Sequence, residues 1–384
     1  MLAMNYRGPS RVRVSKKPDP IIEHPNDAIV RVTRSCICGS DLHLYHGLVP
    51  DTRVGMTFGH EFTGIIEQVG PSVRNLKVGE VVLVPFNIFC GTCFFCQREL
   101  FSNCDNTNPS STTVGGVYGS SGLAGNYDGG QAEFVRVPLA DVGPIKLPPG
   151  MDLDDAVLLT DALPTGYQAA EMASIKEGDT VVIFGAGPIG IFAARSAWLM
   201  GAGRVIVVDG VDYRLDFVGR YAPAETVDYR SVSDMALHLK KMTDSLGPDA
   251  CIDAVGAEAS GSALHRLTGV LAKLQAGAAT ALMWAINSVR RGGTVSIVGV
   301  YGPTFNAVPI GNALHKGLTL RMNQASVKRH VPRLIEHIQA GRIDPKRIIT
   351  HRVPLEEIAD AYHIFANKLD GCIKTVVIPP TVRH

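Results

Sequence analysis

An α/β fold, in which a β-rich part precedes a doubly wound parallel sheet and a short tail follows, is what the sequence predicts. Three observations carry it. Up to about residue 160, short apolar or alternating runs are punctuated by Gly and Pro, the texture of strands joined by turns. From about residue 178, strand-like and helix-like stretches alternate. The first of those strands, "DTVVIFGAGPIG", runs into a glycine turn that opens a helix.

In chain order, "DAIVRV", "FTGIIEQVG" and "GEVVLVPF" are the strands of the first part. The doubly wound part begins with "TVVIF" and the helical "IFAARSAWLMGAG", and continues through "RVIVVD", a helix, "AETVDY", a helix and "DACIDAVG". A long helical region then leads to "GGTVSIVGV" and "GLTLRM". Between Gly256 and Gly292 the chain is long for one crossover helix, so residues 257–277 are expected to form an added excursion. The tail contributes a helix, "VPRLIEHIQAG", the stretch "IITHRVPLEEIADAYHIFANK" and a last strand, "CIKTVVIP". There is no internal repeat and no low-complexity segment.

At 384 residues the chain has material for two domains with hydrophobic cores, and 46% hydrophobic against 19% charged residues is a globular composition. A net charge of +1, with no Lys/Arg run longer than two, removes the long-range attraction that a nucleic-acid or anionic-membrane binder needs. The N-terminus lacks the apolar run of a signal peptide, and no stretch is long enough to span a bilayer. The expected location is therefore the cytoplasm, where disulfides are rare.

Four of the eight cysteines fall in "CGTCFFCQRELFSNC". Cys90, Cys93, Cys96 and Cys104, spaced C-x2-C-x2-C-x7-C, are read as metal ligands before disulfides. Zinc takes four thiolates tetrahedrally, and an iron–sulfur cluster is the main rival. A closed four-thiolate site holds a loop in shape and performs no chemistry.

Gly185-x-Gly187-x-x-Gly190 follows a strand and opens a helix, which is the context a dinucleotide turn needs. One glycine makes the turn, one admits a pyrophosphate, and one allows close helix–strand packing, with the phosphates at the positive helix end. Asp209 ends the next strand, where a carboxylate accepts hydrogen bonds from the adenosine ribose and repels a 2′-phosphate. NAD is expected over NADP. Alternatively, Asp209 is a solvated strand end.

"CICGSDLHLYHG", "GHEFTG" and "TDALPTGY" hold further candidates, too far apart for spacing to unite them. Taken singly, Cys38 reads as a buried thiol, His60 as a turn residue and Asp161 as a helix cap. His315, His330, His337, His351 and His363 show no ligand spacing and are expected in solvated or capping roles. "KRH" at 328–330 reads as a solvated turn, and Cys251 as core.

Together, "GHE" at 59–61, the four-cysteine loop, "TGY" at 165–167 and "GAGPIG" resemble the zinc-containing medium-chain alcohol dehydrogenase family from about residue 5 to 378. "ICGSD", "VPFN", "GGQAEFVRVP" and "TDALPTGY" are closest to its glutathione-independent formaldehyde dehydrogenases. The resemblance implies a GroES-like β-barrel catalytic domain plus a Rossmann doubly wound parallel sheet. Expected boundaries are 1–161 and 330–384 for the catalytic domain and 162–329 for the Rossmann domain.

By position, the resemblance makes Cys38, His60 and Asp161 ligands of a catalytic zinc, with Cys36 a rival to Cys38, and the four-cysteine loop a second, structural zinc. Glu61 matches a carboxylate that approaches the metal, Ser40 the hydroxyl at the substrate oxygen, and His43 a proton-relay histidine. Phe86 matches a substrate-pocket wall. Thr165, Pro188, Ile189 and Val298 join the glycines and Asp209 as cofactor-binding residues, and Lys374 matches a basic residue near the pyrophosphate.

The implied reaction passes a hydride from a small alcohol or hydrated aldehyde to NAD. Formaldehyde without thiol is one candidate substrate. A polyol or secondary-alcohol dehydrogenase, or an aldehyde dismutase with tightly held NAD, is the alternative within enzymes; a non-catalytic NAD-binding protein is the alternative outside them. A homo-oligomer is expected, a tetramer before a dimer, with no nucleic-acid or membrane partner.

Overall fold

The first ten strands and four helices divide between two surroundings. Strands β1 (Leu2–Tyr6) and β2 (Val12–Lys16) form an antiparallel hairpin. After β3 (Ala28–Ile37) come helix α1 (Gly39–Tyr45), β4 (Phe62–Val69), β5 (Val81–Val84), β6 (Asn87–Ile88), β7 (Gly116–Val117), β8 (Phe134–Val137) and β9 (Ile145–Lys146). Helices α2 (Leu153–Leu158) and α3 (Ala162–Met172) precede β10 (Thr180–Phe184) and α4 (Pro188–Leu199). The computed structural model describes residues 1–256, 279–301 and 308–382. The excursion expected at 257–277 lies outside the described residues.

The doubly wound part continues with β11 (Arg204–Asp209), α5 (Asp212–Tyr221), β12 (Glu225–Asp228), α6 (Met235–Met242) and β13 (Ala250–Asp253). It ends with α7 (Thr280–Ser288), β14 (Thr294–Ile297), α8 (Ile310–His315) and β15 (Thr319–Met322). The tail holds α9 (Val327–Gln339), β16 (Ile349–Pro354), α10 (Ile358–Ala366) and β17 (Lys374–Ile378).

Two compact units result: Met1–Pro164 with Ser326–His384, and Thr165–Ala325. In the second, β12-β11-β10-β13-β14-β15 is a wholly parallel sheet. Its chain order, 3-2-1-4-5-6, reverses between β10 and β13, and ligands of such sheets bind beyond the strand ends at that switch point. Val182, Phe184, Ile206 and Val208 are buried with Leu282, Ala285 and Ile286 of α7. Each fully buried aliphatic side chain there contributes about 1.5–3 kcal/mol.

In the first unit, β16-β17-β3-β4-β5-β9 form one sheet, with β8 also on β3. The long strand β3 is shared by three neighbours, which is why its apolar residues are buried on both faces. Register shifts in its pairing with β4, at Ile29/Val30 and Val32/Arg34, bend it before its last residues. The tail differs from expectation at one point. "KRH" is not a solvated turn but the first turn of α9, which runs upstream of Pro332, and His330 is buried at 3% exposure.

Candidate functional site

Ser35↔Phe62 pairing brings the end of β3 beside the start of β4. Cys36 N and Ser35 Oγ both donate to Glu61 O, at 3.1 and 2.9 Å, so the two chain ends cannot drift apart. Cys38 caps α1 in extended conformation, φ −106° and ψ 157°. His60 follows Gly59 at φ +96°, and a Cβ on Gly59 would lie 2.5 Å from Gln131 Cγ and 2.8 Å from Gln131 N. Only glycine permits that turn. Asp161 stands in the turn between α2 and α3.

These elements place Cys38 Sγ 3.5 Å and His60 Nε2 3.3 Å from Asp161 Oδ2. Metal bonds of about 2.0–2.3 Å in a tetrahedron give donor separations of about 3.3–3.8 Å, which these match. Ligand atoms of Cys38, His60, Glu61 and Asp161 all lie within 4.8 Å of one another. Cys38 joins the group, and its rival Cys36 does not.

The group carries two buried carboxylates, Glu61 and Asp161, and the partly buried Cys38 thiol, so it is short of positive charge. Burial pushes the Cys38 thiol up, and the Asp161 carboxylate adds to that. Burial pulls His60 down, but Asp41, Cys38 and Asp161 outweigh it and hold the imidazole well above its usual value. A divalent cation relieves this imbalance and favours the thiolate, so the donor set fits zinc.

Ser40 Oγ lies 3.4 Å from His60 Nε2. The Phe86 ring stands edge-on to His60 at 5.9 Å. His43 is half-buried in the last turn of α1, and burial lowers its pKa, so it is neutral and able to accept a proton. Lys374 departs from expectation. Its ammonium is buried, donating to Glu61 Oε1 at 2.6 Å and Ile37 O at 3.2 Å, with no exposed face for a pyrophosphate. Burial disfavours its charge, but Glu61 outweighs burial and keeps it protonated. Glu61 Oε2 is left without a hydrogen-bond partner, beside the donor group.

Sequence reasoning missed Asp41. It is 1% exposed, its Oδ2 accepts from Cys38 N at 3.0 Å, and its Oδ1 faces His60 Nδ1 at 3.4 Å. Oδ1 is buried with no hydrogen-bond partner, so its one close approach is to Nδ1, which turns Nε2 toward the metal group as carboxylates do with metal-binding histidines. The signal was legible: a carboxylate three residues after an N-cap marks a capping box.

In the four-cysteine loop, Cys90 and Cys96 Sγ are 3.9 Å apart, and Cys93 and Cys104 4.0 Å. All eight cysteines are free. The four thiols lie within 4.8 Å of one another, which leaves room for one ion and not for a multi-iron cluster. Burial disfavours the Cys90 thiolate, but hydrogen bonds from Thr92 and the Cys93 N–H outweigh it and lower the thiol pKa to about 6. The loop is anchored by Phe89 stacked on Phe101 at 4.4 Å.

In the second unit, Gly185 has φ +99°, and a Cβ on Gly190 would lie 1.8 Å from Gly185 O. Gly187 caps α4, with Pro188 in its first turn and Ile189 next. A Cβ on Gly187 would meet only Arg214 Nη1, at 3.9 Å, so the turn is open toward that guanidinium. Asp209 accepts from Ala186 N at 2.6 Å and from Gly210 and Val211 N at 2.7 and 3.0 Å, tying β11 to the glycine turn. Sequence reasoning also missed Arg214, whose Nε is buried without a hydrogen-bond partner. Thr165 is half-buried on α3, and Val298 N donates to Asp253 O at 3.0 Å beyond β14.

Comparison with known proteins bears on both units. A family model described as alcohol dehydrogenase GroES-like domain matches residues 24–148, and one described as zinc-binding dehydrogenase matches 188–274. The uncharacterized zinc-type alcohol dehydrogenase-like protein AdhB of Bacillus subtilis is 42% identical over 99% of this chain and 100% of its own length. The glutathione-independent formaldehyde dehydrogenase of Pseudomonas aeruginosa is 36% identical, over 85% of this chain and 81% of its own. Among solved structures, alcohol dehydrogenase TADH from Thermus sp. ATN1 superposes with a TM-score of 0.83 at 34% identity, covering 99% of this chain and 100% of that one.

Proposed function

Because the chain belongs to the zinc-containing medium-chain alcohol dehydrogenase family and is an oxidoreductase, we propose that it oxidises a small alcohol or hydrated aldehyde, formaldehyde included, with NAD as hydride acceptor. The observation that carries this reading is Asp161 Oδ2 closing the Cys38–His60 pair at 3.5 and 3.3 Å, with Ser40 Oγ alongside. Zinc bound by Cys38, His60 and Asp161 supplies Lewis acidity, which lowers the pKa of a substrate hydroxyl towards neutrality. NAD supplies the electrophilic carbon that takes the hydride.

The chain's own residues handle the proton and the orientation. Ser40 Oγ accepts the substrate hydroxyl proton as its own proton moves on to His43, one helical turn later. His43 accepts because burial keeps it neutral. Phe86 limits substrate bulk at the His60 side. Asp209 and Arg214 flank the glycine turn, where they bind adenosine ribose and the cofactor's charge. The four-cysteine loop takes a second zinc, and its role is structural. The reading extends to a cytoplasmic homo-oligomer, a tetramer before a dimer; edge strand β15, with exposed Met322, gives the second unit an open strand for self-association.

The deciding experiment follows NADH from zinc-loaded protein with NAD and formaldehyde in the absence of thiol, beside simple alcohols, with formate assayed in the same samples. Thiol-independent NADH with formaldehyde supports the formaldehyde reading. Formate and methanol with little NADH indicate dismutation. Turnover of larger alcohols alone keeps the zinc chemistry and removes formaldehyde. No turnover of any alcohol or aldehyde rejects the proposal.

A further inference from the structure

Asp41 is itself held from behind. Its Oδ2 accepts from Gln131 Nε2 at 3.3 Å, and the same Nε2 donates to Cys36 O at 3.0 Å. Gln131 Oε1 accepts from Tyr362 Oη at 2.9 Å. Gln131 and Tyr362 are both fully buried. Gln131 sits just before β8 and Tyr362 on α10, so two distant stretches of chain stand in line behind one carboxylate.

The chain of bonds has a direction. Burial holds Tyr362 far above its usual pKa, so its hydroxyl remains a donor. A donor at Oε1 fixes which end of the Gln131 amide faces which neighbour. Reversing the amide would set its oxygen against Cys36 O and Asp41 Oδ2, three acceptors together. The remaining groups are equally committed: Gln131 N donates to Phe58 O at 3.1 Å, and Gln131 O accepts from Met4 N at 2.9 Å. Tyr362 cannot turn away, because its ring stacks on Tyr45 at 5.1 Å. With Oδ2 occupied by Cys38 N and Gln131, Asp41 presents only Oδ1 to His60 Nδ1.

We propose that Gln131 and Tyr362 are positioning residues for the metal centre, fixing Asp41 so that His60 keeps its proton on Nδ1 and offers Nε2 to zinc. The inference rests on the reading of Cys38, His60 and Asp161 as a zinc site. Neither residue touches the donor atoms. Their effect passes through Asp41, and a conservative change at Tyr362, 321 residues along the chain from Asp41, is felt at the metal.

The test is chelator competition on full-length, zinc-loaded protein, comparing the parent with Tyr362→Phe, Gln131→Met and Gln131→Glu. Zinc release is measured together with the visible spectrum after cobalt(II) exchange. Tyr362→Phe and Gln131→Met are expected to lose one zinc per chain at about tenfold lower chelator concentration, with shifted cobalt bands. The second zinc should leave as in the parent. Gln131→Glu still accepts from Tyr362 but has no donor for Asp41, so it should behave like Gln131→Met.

Parent-like release and an unchanged cobalt spectrum in Tyr362→Phe overturn the inference. So does equal loosening of both zincs, the mark of general destabilisation. If the Gln131 variants do not fold, Tyr362→Phe decides alone. A parent that binds only one zinc, held by the four cysteines, refutes the zinc-site reading itself.

Discussion

At the scale of single residues, charge and reach decide. Replacing His43 by Ala is expected to lower turnover at pH 7 more than tenfold, with recovery at high pH, where hydroxide accepts the proton. Because burial lowers the His43 pKa, the parent's rate should fall only at pH values below the usual histidine range, as His43 becomes charged. A pH–rate profile of both proteins checks this, and matching profiles would remove His43 from the relay. Asp209→Gly is expected to raise relative NADP use at least tenfold, because Arg214 stays while the repelling carboxylate goes. Competing kcat/KM values for the two cofactors measure it.

His330 carries a different kind of prediction. Burial, with Arg329 and Arg333 nearby, lowers its pKa to about 4. The unfolded chain, near 6.5, then binds the proton first. Stability is present above pH 6.5 and is lost as pH falls towards 4, by about 2 kcal/mol between pH 7 and 5. His330→Leu should flatten that slope in urea unfolding at the two pH values.

Elements show where the sequence was legible and where it was not. The glycine turn was readable because its constraints are local: Gly185 and Gly190 answer to each other's backbone across five residues. Gly190→Ala, which sets a Cβ 1.8 Å from Gly185 O, is expected to abolish cofactor binding while leaving zinc content unchanged. Fluorescence titration with NADH and metal analysis read the two outcomes separately. The four-cysteine loop was legible for the same reason, since all its donors lie in one short stretch. Cys38, His60 and Asp161 became a set only through resemblance, because β3–β4 pairing and the α2–α3 turn unite them, and no residue spacing records that. Asp41 announced itself as a cap, not as a partner of His60. The tail helix was expected from Val331, yet α9 begins at Val327, so His330 lies inside the helix and is buried, not solvated.

Across the whole molecule, the expected boundaries at 161/162 and 329/330 compare with breaks after Pro164 and Ala325. The first break falls within α3, so a division drawn at Asp161 stops where that helix starts. No helix among the described residues is long and apolar enough to cross a membrane. The two metal sets make one molecular prediction: two zincs per chain, falling to one in Cys90→Ser, with dehydrogenase chemistry retained at a lower melting temperature. Metal analysis alongside thermal unfolding checks it.

The two sets also differ in how much chain they must gather. Cys93 and Cys104 are 11 residues apart, whereas Cys38 and Asp161 are separated by 123. Loop closure alone makes the wider set dearer by about 2 kcal/mol. The four-cysteine loop can load its ion while the ribosome is still making residues 105–384. The other centre must wait at least for Asp161, and its backing by Tyr362 and Lys374 comes only with α10 and β17. A nascent chain short of zinc would therefore fill its scaffold first and its chemistry last.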